Sequence, residues 1–266
     1  MAAINRRDVL GNRGWEMKEK ILYHGIPIVG RMPLFNAEMR QAVRDDRKGQ
    51  TRRPMDPQPV LVSDAWRWKN IAWGVGGAQI SDEFIVDHCS YGKPGDVRCM
   101  REPLMRGATT GVAYYLDDYR SHRPATAVIS LITGKPIPWR WKRDALASIH
   151  MPTEAARTIC RVTDIRVERV QEITPLDAIC EGYPFGLPSA GNSDVYTDRM
   201  VVAWFRNLWD SIYAKPRPIL QAKKIVAYKS YPWSEDTCDP RTMINGKPHH
   251  CHPNPWVWVN VFEKVV

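Results

Sequence analysis

The chain has 266 residues, 44% apolar and 25% charged, which is enough to bury the core of one large domain or two small ones. Its 38 Lys and Arg against 29 Asp and Glu give a net charge of +9, a balance that suits a polyanion partner such as nucleic acid. No apolar run reaches the length of a membrane span, and no apolar stretch follows the basic start Met1-Ala2-Ala3-Ile4-Asn5-Arg6-Arg7, so the sequence predicts a cytoplasmic protein without a membrane partner. The six cysteines, Cys89, Cys99, Cys160, Cys180, Cys238 and Cys251, lack CxxC spacing and read as reduced thiols.

Residues 1–19 are polar and read as an N-terminal arm; residues 20–266 read as a single domain. Ile21-Leu22-Tyr23 begins a strand. Asn36 caps a helix over residues 37–48 with Met39, Ala42 and Val43 on one face, and Gly49 stops it. Pro54 forces the preceding residues into extended form, so Lys48 and Thr51 fall at a helix-to-strand corner. Gly74-Val75-Gly76-Gly77 lacks the Lys-Ser/Thr ending of a phosphate loop and reads as a turn. Tyr91-Gly92-Lys93-Pro94-Gly95-Asp96 turns into a strand at 97–101, and residues 103–147 read as a loop-rich insertion.

Two runs interleave tryptophan with cations: Trp66-Arg67-Trp68-Lys69 and Trp139-Arg140-Trp141-Lys142-Arg143. They suit a platform for unpaired bases, which makes Trp66, Trp68, Trp139 and Trp141 candidate ligand contacts. The same alternation suits a strand with tryptophan inward and the cation in water, and both readings stay open.

Residues 158–170 favour a strand. The next helix carries complete local signals: Thr174 as N-cap, Pro175 at the first position, Asp177 at the third and Gly182 after the end, with Leu176, Ile179 and Cys180 as its apolar face. Glu181 sits at the helix C-terminus against the dipole, where a carboxylate is unfavourable and a functional role is the alternative to a solvated side chain. Residues 198–213 form an amphipathic helix with Val201, Trp204, Phe205, Leu208 and Ile212 inward. Residues 214–255 read as loops with one strand at 224–228 and an insertion at about 229–253. The final run, Trp256-Val257-Trp258-Val259-Asn260-Val261-Phe262-Glu263, reads as a buried strand.

Cys238, His249, His250, Cys251 and His252 match no zinc-finger spacing and read as a His-rich loop, and no metal or cofactor is expected. His150 reads as a structural histidine.

Several blocks occur in order along the chain: Lys20-Ile21-Leu22-Tyr23, Arg47-Lys48-Gly49-Gln50-Thr51-Arg52-Arg53-Pro54, Pro57-Gln58-Pro59, Tyr91-Gly92-Lys93-Pro94-Gly95-Asp96 and Arg101-Glu102, then Ser148-Ile149-His150-Met151-Pro152, Val162 to Arg169, Asp177-Ala178-Ile179-Cys180-Glu181-Gly182 and Asn254-Pro255-Trp256-Val257-Trp258. Together they resemble the ASCH family of the PUA-like superfamily in its phage and prophage form. The resemblance implies an α+β fold: a PUA-like small β-barrel with helices packed at its mouth, here with loop-rich insertions, in the cytoplasm of a bacterial host. It implies a cleft between the Lys48–Thr51 corner and the Glu181 helix that binds RNA or a modified nucleobase. In one branch of the family that site hydrolyses the amide of N4-acetylcytidine, and the matching catalytic positions are Lys48, Thr51 and Glu181. Arg53 matches the arginine of the same motif, and Arg47, Arg52 and Arg53 are the cations placed to contact a nucleic-acid ligand. The residues alone leave three functions open: an amidohydrolase, a non-catalytic RNA-binding or host-interaction module, and a ribonuclease. Asp46 and Gly49 stand where the family usually has Gly and Thr, and Asp46 is close enough in sequence to pair with Lys48 or an arginine.

Overall fold

The computed structural model describes residues 21–63, 65–69, 71–75, 84, 88–185, 195–238 and 242–265. The fold is mixed α+β. Its centre is a six-stranded sheet in the spatial order Leu22–Tyr23, Ile26–Arg31, Val97–Cys99, Ile159–Arg169, Trp256–Lys264, Gln50–Pro54. Neighbours are antiparallel, except that Ile26–Arg31 runs parallel to Val97–Cys99. Among the described residues no pairing joins the two edge strands. The Gln50–Pro54 strand is therefore an edge, and its free side lies open to whatever packs there.

The Trp256–Lys264 strand shows why it is apolar on both faces. Val257 and Val259 meet helix α4, Val195–Tyr213, through Val201, Phe205 and Trp209. Trp258 points the other way, into a cluster with Met55, Trp68, Val162 and Ile165. Burying both faces removes large apolar areas from water, each side chain contributing roughly 1.5–3 kcal/mol.

Helix α1, Ala37–Arg44, starts as expected, with the Asn36 side chain accepting from the Met39 N–H at 2.8 Å. It ends earlier than the sequence suggests. Asp46 takes the left-handed conformation, at φ 57°, so the chain turns there and not at Gly49. Helix α2 is Leu116–Arg120 and helix α3 is Pro175–Cys180. On α3, Ala178 is the buried residue and Leu176 is exposed, which corrects the expected apolar face.

Two regions expected to be loops are more ordered. Leu104–Arg106, Ala113–Tyr115 and Ala145–Leu146 form a sheet, and Leu104, Ala113, Tyr115, Val128 and Ile137 are buried against Val97 and Ile159. Arg217–Gln221, Lys224–Ser230, Met243–Ile244 and Lys247–Cys251 form a second one. Their strands are short and half polar, which hides the alternation that would mark them. Cys238 is disulfide-bonded to Cys251, contrary to the expected free thiols, while Cys89, Cys99, Cys160 and Cys180 are free. Residues 1–19 and Gly76-Gly77 lie outside the described residues. Among the described residues no helix is long and apolar enough to cross a membrane.

Candidate active site

Lys48 leaves α1 through the Asp46 turn and meets Glu181 in an isolated antiparallel bridge. The Gly49 N–H donates to the Cys180 carbonyl at 3.0 Å, which fixes the corner to the end of α3. Gly182 makes this approach possible. Its φ of +104° disfavours a side chain, and a Cβ there would sit 3.2 Å from Ala42 Cβ and 3.4 Å from Lys48 Cβ.

α3 is held by its cap: the Asp177 N–H donates to Thr174 Oγ1 at 3.1 Å, and the Thr174 N–H donates back to Asp177. At its other end Lys48 Nζ donates to the Glu181 carbonyl at 2.8 Å and to Oε2 at 2.7 Å. The ammonium thus answers both the terminal carbonyl and the carboxylate that opposes the helix dipole. Both side chains are buried, at 2% and 4% exposure. Burial pushes the Lys48 amine below the ordinary lysine value. The Glu181 charge opposes that push, and Arg53 and Arg52 reinforce it.

Arg52 stands behind Glu181. Its Nη1 donates to Glu181 Oε1 at 3.3 Å, its Nε donates to Glu168 at 2.9 Å, and Nη2 meets Glu168 and lies 3.2 Å from Asp177. Arg166 closes the network, donating to Glu168 at 3.0 Å and to Asp177 at 2.8 Å. Burial alone would raise the Asp177 carboxyl, but Arg52 and Arg166 outweigh it and hold the group below its ordinary value. All three Arg52 nitrogens are committed to carboxylates, so its role is to hold Glu181 rather than to take a phosphate.

A cavity of about 530 Å³ opens along the free edge of the Gln50–Pro54 strand. Lys48, Thr51, Arg52, Arg53 and Glu181 line it together, with Phe35 and Met39 on one side and Phe205, Leu208, Trp209 and Tyr213 from α4 on another. Glu181 is the one carboxylate in that lining, against Lys48, Arg52, Arg53, Arg101 and Arg217. Asp46 turns away and pairs with Lys264 at 2.6 Å, so it does not quench Lys48.

The remaining expected contacts lie elsewhere. Arg47 pairs with Asp45 at 3.4 Å and lines a neighbouring cavity with Arg44, Arg120 and Arg123. Trp68 is buried, its Nε1 donating to the Pro57 carbonyl at 2.8 Å, and Trp66 packs edge-on against Trp256. Trp139 and Trp141 pack on each other and against the core, and neither lines the cleft. Trp66 and Trp68 lie on the Ala65–Trp68 strand, Trp139 and Trp141 lie in no strand, and all four pack on neighbouring side chains away from the cleft. His150 lies with Trp141 and Arg143 at a separate surface cavity. Among the described residues there is no group of three or more His, Cys, Asp or Glu able to hold a metal ion.

Sequence reasoning passed over several residues here. Tyr213 accepts from Arg53 Nη1 at 3.0 Å. Tyr91 lines the cleft, and burial pushes its hydroxyl up while nearby Arg53 opposes the shift. Asn260 is paired across from Thr51, donates to the Tyr91 carbonyl at 3.3 Å and keeps a buried Oδ1 without a partner. A lone amide inside an otherwise apolar strand was the available signal for Asn260.

No family model, curated protein or solved structure matches this chain.

Proposed function

We propose that the protein is an ASCH-type, PUA-like domain whose cleft takes a modified cytosine from RNA or a nucleoside and hydrolyses its N4-acyl amide. The central sheet would then be an open form of the barrel that the resemblance implies, with α1 and α4 at its mouth. One observation carries the reading: a buried lysine of lowered proton affinity, a buried threonine and a buried glutamate share one cavity. A volume of about 530 Å³ also suits a nucleoside-sized ligand.

Each residue has a part in the chemistry. A threonine hydroxyl is a weak nucleophile without a base, and an amine serves as a base only when neutral. Burial with Arg53 and Arg52 nearby favours that neutral form. Lys48 takes the hydroxyl proton as Thr51 Oγ1 bonds to the acyl carbon. The carbon–N4 bond then breaks, and the proton passes through Glu181 to N4, leaving free cytosine and an acyl ester on Thr51. Lys48 takes a proton from water as the hydroxide adds to the ester and returns that proton to Thr51 Oγ1 as the ester bond breaks, and the released acid loses its own proton to solvent, which restores the hydroxyl and the neutral amine. Arg52 holds the Glu181 carboxylate in place throughout.

The test is mass spectrometry of a short RNA carrying one N4-acetylcytidine. Loss of one acetyl group with wild-type protein, and none with Thr51→Ala, supports the amidohydrolase. Shortened fragments indicate a ribonuclease instead, and an unchanged oligonucleotide leaves the cleft as a non-catalytic reader of RNA.

A further inference from the structure

The cations behind Glu181 are matched by carboxylates, but those at the cleft mouth are not. Arg53 reaches only neutral partners: the Tyr213 hydroxyl at 3.0 Å, the Leu34 carbonyl at 2.9 Å and the Arg52 carbonyl at 3.4 Å. Arg217 donates to the Ile212 carbonyl at 2.6 Å, and its guanidinium lies 5.4 Å from the centre of the Tyr213 ring. Tyr213 therefore carries one arginine on its hydroxyl and another over its face, which brings two positive charges to one side of the cavity. Arg101, also in the lining, donates to the Ile149 carbonyl at 3.2 Å, and its Nε is buried with no partner. None of the three has a carboxylate within salt-bridge reach among the described residues.

Such an arrangement is costly without a ligand. Like charges around a low-dielectric cleft repel one another, and a buried guanidinium nitrogen without an acceptor loses hydration without return. A neutral base or nucleoside can offer an acceptor to the buried nitrogen but leaves the like charges unanswered. An anion relieves both, and the planar guanidinium fork matches phosphate oxygens in particular.

We propose that Arg53, Arg101 and Arg217 form a phosphate subsite, so that the cleft takes a phosphorylated nucleotide rather than a free base or nucleoside. The proposal rests on reading the Lys48–Glu181 end as the base pocket. The phosphate is either the terminal group of a mononucleotide or the diester of a strand, since both present the same oxygens.

Titration calorimetry separates these possibilities, using cytidine, cytidine 5′- and 3′-monophosphates, a cytidine-containing dinucleotide and inorganic phosphate. The phosphorylated ligands should bind wild-type protein at least about tenfold tighter than cytidine, the worth of one charge-assisted contact. Arg217→Ala and Arg101→Ala should each remove most of that advantage and leave cytidine affinity unchanged. Arg217→Lys should restore part of it. Added salt should weaken the phosphorylated ligands more than cytidine, and less so after each arginine is removed. The dinucleotide binding tighter than the monophosphates assigns the diester, and the reverse order assigns a terminal phosphate. Equal affinity for cytidine and its monophosphates overturns the subsite while leaving the base pocket intact. Phosphate bound in a protein that ignores cytidine keeps the subsite and removes the base pocket. Binding of none of these ligands overturns both.

Discussion

Arg40 and Arg44 on α1, with Arg157, face Glu102, Asp117 and Asp118: three cations and three carboxylates. Four residues past the end of the same helix, Lys48 opens a cleft lined by five cations and one carboxylate, Glu181. In the first cluster the carboxylates are buried; in the second Lys48, Arg52 and Glu181 are buried, Arg53 and Arg101 are half-buried and Arg217 is exposed, and the two clusters differ in balance. In the first, Arg157 makes two-point contacts to Glu102 and to Asp118, at 2.9 and 2.9 Å and at 2.7 and 2.8 Å, and Arg40 grips Asp117 at 2.6 and 2.8 Å. That set fastens the residue 103–120 segment to α1 and leaves no charge for a ligand. In the second, the excess charge sits at a cavity mouth. Buried ion pairs are often near neutral for stability, so conserving charge balance is a structural matter, whereas an excess facing a cavity is answered only by something that enters it.

The largest effect that separates the two comes from Glu102→Gln. It strands Arg44 and Arg157 beside a fully buried amide, at a cost of about 3 kcal/mol, read as a lower urea midpoint. Turnover per folded molecule should survive. Lys48→Met should do the reverse to activity, lowering the rate of acetyl release by at least about 10²-fold, because it removes the proposed base. A Lys48→Met variant that keeps its rate removes the lysine from the chemistry.

pH sharpens the contrast. Lys48 accepts a proton only as the neutral amine, and its proton affinity is depressed, so turnover should rise with pH along a limb centred below the ordinary lysine value of 10.5. The stability sign agrees. The unfolded chain holds that proton more firmly than the native cleft does, so the lysine's cost to folding is relieved as pH rises from the folded value towards 10.5. Asp177 acts at the acid end. Its folded value is depressed, so its contribution is present above the ordinary carboxylate range and is lost as pH falls through the folded value. A rate that is flat from neutral to alkaline pH counts against Lys48 as base. The smallest effect belongs to Asp46→Asn, which breaks the solvent-facing pair with Lys264 and should cost less than about 1 kcal/mol with no change in rate.

Local signals were legible in the sequence, and long-range pairings were not. The Asn36 cap, the Thr174–Asp177 box and the buried last strand follow from a few adjacent residues. The Lys48–Thr51 corner and Glu181 were singled out by motif, and they line one cavity. Which cation meets which carboxylate depends on partners 77 residues apart for Arg40 and Asp117 and 133 for Lys48 and Glu181, and no local pattern encodes that. The tryptophan runs left packing and stacking open, and the structure places all four rings against neighbouring side chains outside the cleft. Arg217 carries no motif at all, and Arg101 belongs to a family-like block that gives it no role. They stand out only once the cavity shows them without carboxylates.

The most direct measurement is acetyl release from N4-acetylcytidine RNA by wild-type protein, Lys48→Met and Glu102→Gln, side by side at a temperature where all three remain folded. A catalytic cleft predicts release by wild type and Glu102→Gln and a loss of at least about 10²-fold for Lys48→Met. No release by wild type, or equal rates in all three proteins, contradicts it.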